Sequence, residues 1–368
     1  MSTPTIFDFT KADILPIVTA IASAKVDDFD IRFDHQKVSP NGICGEYLVP
    51  TITYKTGLGD SLECTLFVRR RKGTEPGRFQ THHYTFLSEN GVPVPRLYGV
   101  LSDSQGREVL FLEYLDEVTV ANDMFYKDLG VFQKLLEIMA RLNSIKLTVE
   151  YAADVGRDMA RREGYTRNWN TWLPWSIHVL NQIEKYAERD LLDSRIKQFY
   201  QFNQGEIKTL KRIALELMHI VPNLPVGLIH GDFLPGNTGW RKKRKELVVF
   251  DFEDVMFDTR FYDVAFILGG QDTEEKHSAI QRDLAEVYLK VYSQYSGITP
   301  NIEDFLKELT IVWYARKLNL WEYLPPDLHG LSYESGVAGN TRQTRLDLLY
   351  ENMSILVSRA TKIEALLV

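Results

Sequence analysis

The chain is poor in cysteine, in net basic charge and in long apolar runs, and each shortage excludes something. Only two cysteines, Cys44 and Cys64, occur in 368 residues. They form neither a CxxC pair nor a metal-ligand spacing, so a disulfide scaffold is excluded and a reduced, cytoplasmic setting is expected. The formal net charge of −7 argues against a nucleic-acid partner, which needs a basic face. No apolar stretch approaches the ~20 residues of a membrane helix. The opening residues, Met1 to Asp8, lack a basic region followed by an apolar stretch, so neither a membrane partner nor a signal peptide is expected. GxxxxGK[ST] is absent, which removes a P-loop nucleotide site. His230 and Asp232 stand beside an Asn instead of further His or Cys, a poor zinc set. Nothing in the sequence specifies an oligomeric state.

What is present is an ordinary globular chain, 44% hydrophobic, long enough for two lobes. Apolar residues at Ile14, Ile17, Val18, Ile21 and Ala22 predict a first helix over 11–24. Strands follow at 29–33, 46–54 and 62–70, the last two joined by a turn at 56–60. A helix over 78–89 stops at Asn90-Gly91, and Val92-Pro93-Val94-Pro95 must run extended. Strands at 96–101 and 108–114 complete a small antiparallel sheet. Beyond residue 118 the pattern turns helical, at 129–142, 175–189, 194–200, 205–219, 276–296, 302–323 and 346–367, with one obvious hairpin among them. The fold class expected is α+β and bilobal, with a small antiparallel-sheet lobe at 1–117 and a larger helical lobe at 118–368. Of two basic clusters, 69–72 ends a strand, and 241–245 reads as a solvated turn between strands.

The chemistry concentrates in that hairpin. His230-Gly231-Asp232-Phe233-Leu234-Pro235-Gly236-Asn237 is followed by Val248-Val249-Phe250-Asp251-Phe252-Glu253. An Asp, an Asn five residues on, and a second Asp after an apolar strand are the side chains that phosphoryl transfer uses. One carboxylate orients a hydroxyl, while an amide oxygen and another carboxylate hold Mg²⁺ against a nucleotide's phosphates. Isolated Asp and Asn residues most often cap turns; the joint spacing is what favours a site. Only eleven residues separate Asp251 from Asp263, too few for a peptide-docking activation segment. Asp-Phe-Gly and Ala-Pro-Glu are missing as well, so protein-kinase activity is not expected.

These motifs resemble those of the aminoglycoside phosphotransferase and choline kinase-like superfamily, which shares the protein kinase-like fold. The resemblance extends through Asp258-Thr259-Arg260-Phe261-Tyr262-Asp263 and includes Gly91-Val92-Pro93-Val94-Pro95-Arg96, similar to the family's lobe-linking signature. It implies ATP and Mg²⁺ as cofactors and transfer of phosphate to a hydroxyl of a small molecule: an antibiotic, amino alcohol, sugar or other metabolite. By the same resemblance Asp232 is the catalytic base, and Asn237 and Asp251 are the metal ligands. His230 and Asp263 are framework residues, the Asp263 carboxylate capping backbone N–H groups of the catalytic loop. Glu253 and Asp254 are acidic residues near the metal that could meet a cationic substrate.

In the first lobe the resemblance is looser. Leu66-Phe67-Val68-Arg69 resembles the strand that normally ends in a phosphate-binding lysine, with Arg69 in its place and Arg70 or Arg71 as alternatives; arginine can hold phosphate bidentately. The helix before Gly91 should supply a Glu partner, but that position holds Gln80, with His83 nearby. Gly42, in a segment that is not GxGxxG, stands for the phosphate loop. Glu113 and Leu115 fall where a hinge would offer backbone groups to adenine. Asn143 replaces a histidine of relatives, with a structural consequence expected. Trp169, Trp172 and Trp175 share a helical face, which core packing explains at least as well as an aromatic substrate box. The irregular first lobe keeps a rival reading open: a nucleotide-binding pseudokinase or scaffold without transfer.

Overall fold

The computed structural model describes residues 6–33, 39–42, 45–57, 61–71, 78–115, 117–118, 129–146, 148–151, 153, 169–188, 194–241, 245–269, 275–320, 323–324 and 342–367. Contacts gather the chain into two units. One comprises Met1–Ile138, Thr148–Val155 and Asp232–Val255; the other comprises Met139–Leu147, Gly156–Gly231 and Met256–Val368.

The first unit is built on a seven-stranded antiparallel sheet. Its strands are β1 (Val26–Phe33), β2 (Ser39–Gly42), β3 (Gly45–Leu48), β4 (Pro50–Thr56), β5 (Ser61–Arg71), β6 (Leu97–Ser102) and β7 (Glu108–Glu113). The order is β1-β4-β5-β3-β2, with β7 on β5 and β6 on β7. The sequence predicts one strand across 46–54, and the structure divides it into β3 and β4. Register along β5 is nonetheless unbroken, with Leu48 opposite Val68 and Thr51 opposite Thr65. Pro50 has no N–H to give the ladder, so the interruption is a missing donor and not a change of course.

Helix α1 (Lys11–Ala22) starts at a capping box, in which Thr10 and Asp13 satisfy each other's backbone N–H groups. Its buried face, Ile14, Ile17 and Val18, packs with Val26, Phe29, Ile52, Leu66, Val109 and Phe111 of the sheet. Each such side chain contributes about 1.5–3 kcal/mol on burial. Helix α2 (Arg78–Glu89) closes as its sequence predicts. Gly91 adopts φ 71°, and the amide of Val92 donates to the carbonyl of Leu87 at 2.9 Å. A second, three-stranded sheet also belongs to this unit: β8 (Glu117–Val118), β10 (Thr238–Arg241) and β11 (Glu246–Val249), ordered β11-β10-β8.

The second unit is helical. It holds the end of α3 (Leu129–Asn143), then α4 (Trp169–Glu188), α5 (Ser194–Phe202), α6 (Gln204–Ile220), α7 (Tyr262–Leu268), α8 (Glu275–Ser296), α9 (Ile302–Lys317) and α10 (Arg342–Leu367). Phe261, Tyr288, Tyr292 and Phe305 form an aromatic cluster, with Phe261 edge-on to the other three. Helix α4 starts six residues before the predicted Trp175 and carries Pro174 inside it. Helix α9 ends at Lys317 instead of running to Tyr323. There the fully buried Leu318 and Leu320 draw the chain inward, and the carbonyl of Leu318 accepts from the Ser176 hydroxyl. Strands β9 (Val226–Ile229) and β12 (Met256–Thr259) pair antiparallel, so the expected hairpin is not the only β-structure among the helices. The two strands lie far apart in sequence, and no turn signal announces them. Among the described residues no helix is long and apolar enough to cross a membrane.

Candidate functional site

The approach to the motif is fixed from below. In the second unit β9 delivers His230, which is fully buried, and Gly231, whose φ of 85° suits a residue without Cβ. Asp263, in the first turn of α7, accepts from both backbone amides: His230 N at 2.7 Å and Gly231 N at 3.0 Å. Two N–H groups that could not otherwise be solvated are thereby satisfied by one carboxylate. Asn143 holds the strand below. Its amide donates to the carbonyl of Leu228 and its oxygen accepts from the Tyr288 hydroxyl, both at 2.8 Å. The predicted histidine substitute is thus a bridge between β9 and α8.

In the first unit the loop after Gly231 turns at once, Leu234 N donating to the carbonyl of Asp232 at 2.9 Å. Asn237 ends that turn. Its Nδ2 donates to the Asp232 carbonyl at 2.8 Å and to Asp232 Oδ2 at 3.0 Å. Both N–H bonds of the amide are committed, so Oδ1 is left as an acceptor. Asp251 follows β11 in a left-handed conformation, φ 67° and ψ 62°, which Asp tolerates better than most residues. Its Oδ1 takes Arg69 Nη1 at 3.1 Å.

Alternation along β5 separates the two arginines. Arg69 turns to Asp251. Arg70 turns to the other face, where it pairs with Glu46, approaches Asp8 at 3.8 Å and Asp103 at 3.7 Å, and stacks over Phe7. The side chains of Arg71 and Gln80 lie outside the described residues. From α2 the contact with the metal motif is aromatic: Tyr84 meets Phe252 edge-on at 5.1 Å. His83 Nδ1 is 2.5 Å from the Tyr151 hydroxyl, and both residues are buried.

Of the remaining candidates, Gly42 ends β2 opposite Gly45. Leu115 is buried. Glu113 ends β7; its amide donates to the carbonyl of Arg96 at 2.8 Å. Its carboxylate is taken by Arg241, Nε to Oε1 at 2.8 Å and Nη2 to Oε2 at 2.5 Å. Arg241 is therefore not part of a solvated turn, as its basic cluster implied. One warning sign was available, because Glu246 faces it across the hairpin. Its second partner lies 128 residues away, beyond any local reading. Asp254 is half-buried, while the side chains of Glu253, Trp169 and Trp172 lie outside the described residues.

Asn237 Oδ1 and the Asp251 carboxylate are hard oxygen donors, the kind Mg²⁺ takes, with water and phosphate oxygens completing its shell. Among the described residues no group of three or more His, Cys, Asp or Glu gathers as an all-protein metal cage. The residues present fit the ion.

Residues 53–301 match the model of the phosphotransferase enzyme family. The chain belongs to that family, and its architecture is α+β. The family is one of phosphotransferases. No curated protein matches the sequence. Among solved structures the chain is similar to Plasmodium vivax ethanolamine kinase, with 17% identity over 88% of this chain and 82% of that one, and a TM-score of 0.48. It is also similar to the GDP and kanamycin complex of an APH(2″) enzyme, with 15% identity over 92% and 97% of the two chains and a TM-score of 0.49.

Proposed function

We propose that the chain transfers the γ-phosphate of ATP, with Mg²⁺, to a hydroxyl of a small metabolite, antibiotic or other natural product. In this reading residues 1–117 form the nucleotide-binding lobe and 118–368 the helical lobe. The observation that carries it is the Asp232–Asn237 pair, with Asp251 entering from the next strand and Arg69 on that second carboxylate. Asp232 accepts a hydrogen bond from the acceptor hydroxyl, aims its oxygen at the phosphorus and takes the proton as the bond forms. The Asn237 amide fixes which way the Asp232 carboxylate points, so the nucleophile is aligned before reaction. Arg69 offers a guanidinium fork to phosphate oxygens. Asn237 Oδ1 and Asp251 would hold Mg²⁺, which supplies neutralisation of phosphate charge when bound. The strand end at Glu113–Leu115 would border adenine, and the β2–β3 turn at Gly42 would border the phosphates. Glu253, Asp254, Trp169 and Trp172 are the proposed acceptor-side residues.

The test is a screen with γ-labelled ATP and Mg²⁺ over aminoglycosides, choline-like amino alcohols, sugars and macrolides. Label is expected on one acceptor class, with turnover falling about 10²–10⁴-fold in Asp232→Asn. Transfer that survives Asp232→Asn would overturn the role of that residue. Binding of Mg-ATP without hydrolysis or transfer to any acceptor would favour the scaffold reading instead.

A further inference from the structure

We infer that Arg241 is a positioning residue that fixes the distance between the base-side strand end and the hairpin carrying Asn237 and Asp251. The inference rests on the nucleotide reading above and goes beyond it, because Arg241 belongs to none of the motifs.

The guanidinium uses all its edges. Nε and Nη2 fork onto the two carboxylate oxygens of Glu113, at 2.8 and 2.5 Å. Nη2 also donates to the carbonyl of Val94 at 2.7 Å, and Nη1 to Glu246 Oε2 at 2.8 Å. Glu113 in turn accepts from the backbone amide of Arg96 at 3.0 Å. Nearby, Val249 N donates to the carbonyl of Pro93 at 2.9 Å, and β8 pairs with β10 through Gly239 and Trp240. Three segments thus meet at one side chain: the end of β7, the extended Val92–Arg96 linker and the β10–β11 hairpin. Asn237 immediately precedes β10, and Asp251 follows β11 with only Phe250 between. Arg241 is only 15% exposed. Burial alone would disfavour its charge, but the carboxylates of Glu113 and Glu246 outweigh that and raise its pKa.

A ligand that spans two pieces of protein gains affinity from their fixed separation, since binding one half presents the other at high effective concentration. Loosening the separation weakens the whole ligand and leaves each half untouched. A planar fork sets that distance in a way a single ammonium cannot.

The experiment measures dissociation constants for Mg-ATP, for adenosine and for Mg-tripolyphosphate with wild type, Arg241→Met, Arg241→Lys and Glu246→Gln. In Arg241→Met the ATP constant is expected to rise about tenfold, equivalent to about 1.4 kcal/mol, with adenosine and tripolyphosphate unchanged. Arg241→Lys should fall between. An unchanged ATP constant overturns the inference, as does parallel weakening of all three ligands, which a merely structural role would give. Should Arg241→Met fail to fold, Glu246→Gln decides by the same pattern, since it weakens the hold on Arg241 from the hairpin side and leaves the Val94 and Glu113 bonds in place. A wild type that binds no ATP overturns the nucleotide reading itself, an outcome recognisable because no variant is needed to see it.

Discussion

Asp251 combines a charge with an unusual backbone, and the two can be separated. Its left-handed φ and ψ cost most L-residues about 1–2 kcal/mol, a penalty that Asp and Asn largely escape through local hydrogen bonding. Asp251→Asn therefore keeps the shape and removes the charge. Unfolding in urea should change by no more than about 1 kcal/mol, while Mg²⁺-dependent turnover falls at least about a hundredfold. Equal loss of stability and turnover would mean that the residue is structural. The capping of the His230 and Gly231 amides by Asp263 was what the family resemblance implied. The partner of Arg69 was not foreseen, since the position in α2 expected to hold a Glu is Gln80 and the observed partner comes from 182 residues away.

At the scale of elements, two joints carry predictions. The β6–β7 turn is closed by Asp103, which accepts from the amides of Gln105 and Arg107 at 2.9 and 2.8 Å and from Arg107 Nε at 2.7 Å. Burial works against the carboxylate, yet those donors and the Arg107 charge hold its pKa below the ordinary 3.8. A depressed folded value means that Asp103 contributes fully above 3.8 and loses its contribution as pH falls through the lower folded value. Asp103→Asn should cost about 1–3 kcal/mol at neutral pH, and the gap to wild type should narrow below pH 3.8. A gap independent of pH would contradict it; denaturant titrations at several pH values decide.

The second joint is the approach of α7 to α9. A Cβ at Gly269 would lie 2.5 Å from Trp313 Cβ and 2.6 Å from the carbonyl of Ala265. Neither is the free end of a flexible chain, so Gly269→Ala should destabilise by about 1–3 kcal/mol, read as a lowered melting temperature. Elements of this kind were legible when local. The stop of α2 at Gly91 and the turn chemistry of 102–106 are visible in composition. The early end of α9 and the β9–β12 pair were not, because tertiary burial and long-range pairing decide them.

For the whole molecule, nucleotide and ion should act as a single stabilising load. Saturation at a hundred times the dissociation constant is worth about 2.7 kcal/mol, and the melting temperature should rise with Mg-ATP. ATP with EDTA should recover only part of that rise if Asn237 and Asp251 take the ion. Identical shifts with and without chelator would remove the metal from the account. The α+β class was readable from the change of periodicity near residue 118. The grouping of the 232–255 hairpin with the sheet unit was not, because the chain joins it directly to β9 and β12 of the other unit while its hydrogen bonds run to Arg69 and to residues 93–118.

Strand β5 also makes the enzyme sensitive to parity. Adjacent arginines serve opposite faces, one for the acidic hairpin residue and one for the packing of the amino-terminal segment. Inserting or deleting one residue between Ser61, where β5 begins, and Arg69 would exchange their duties without altering a single side chain. Two residues would restore the order and shift only the reach. Length changes in this stretch should therefore be tolerated in even steps and punished in odd ones.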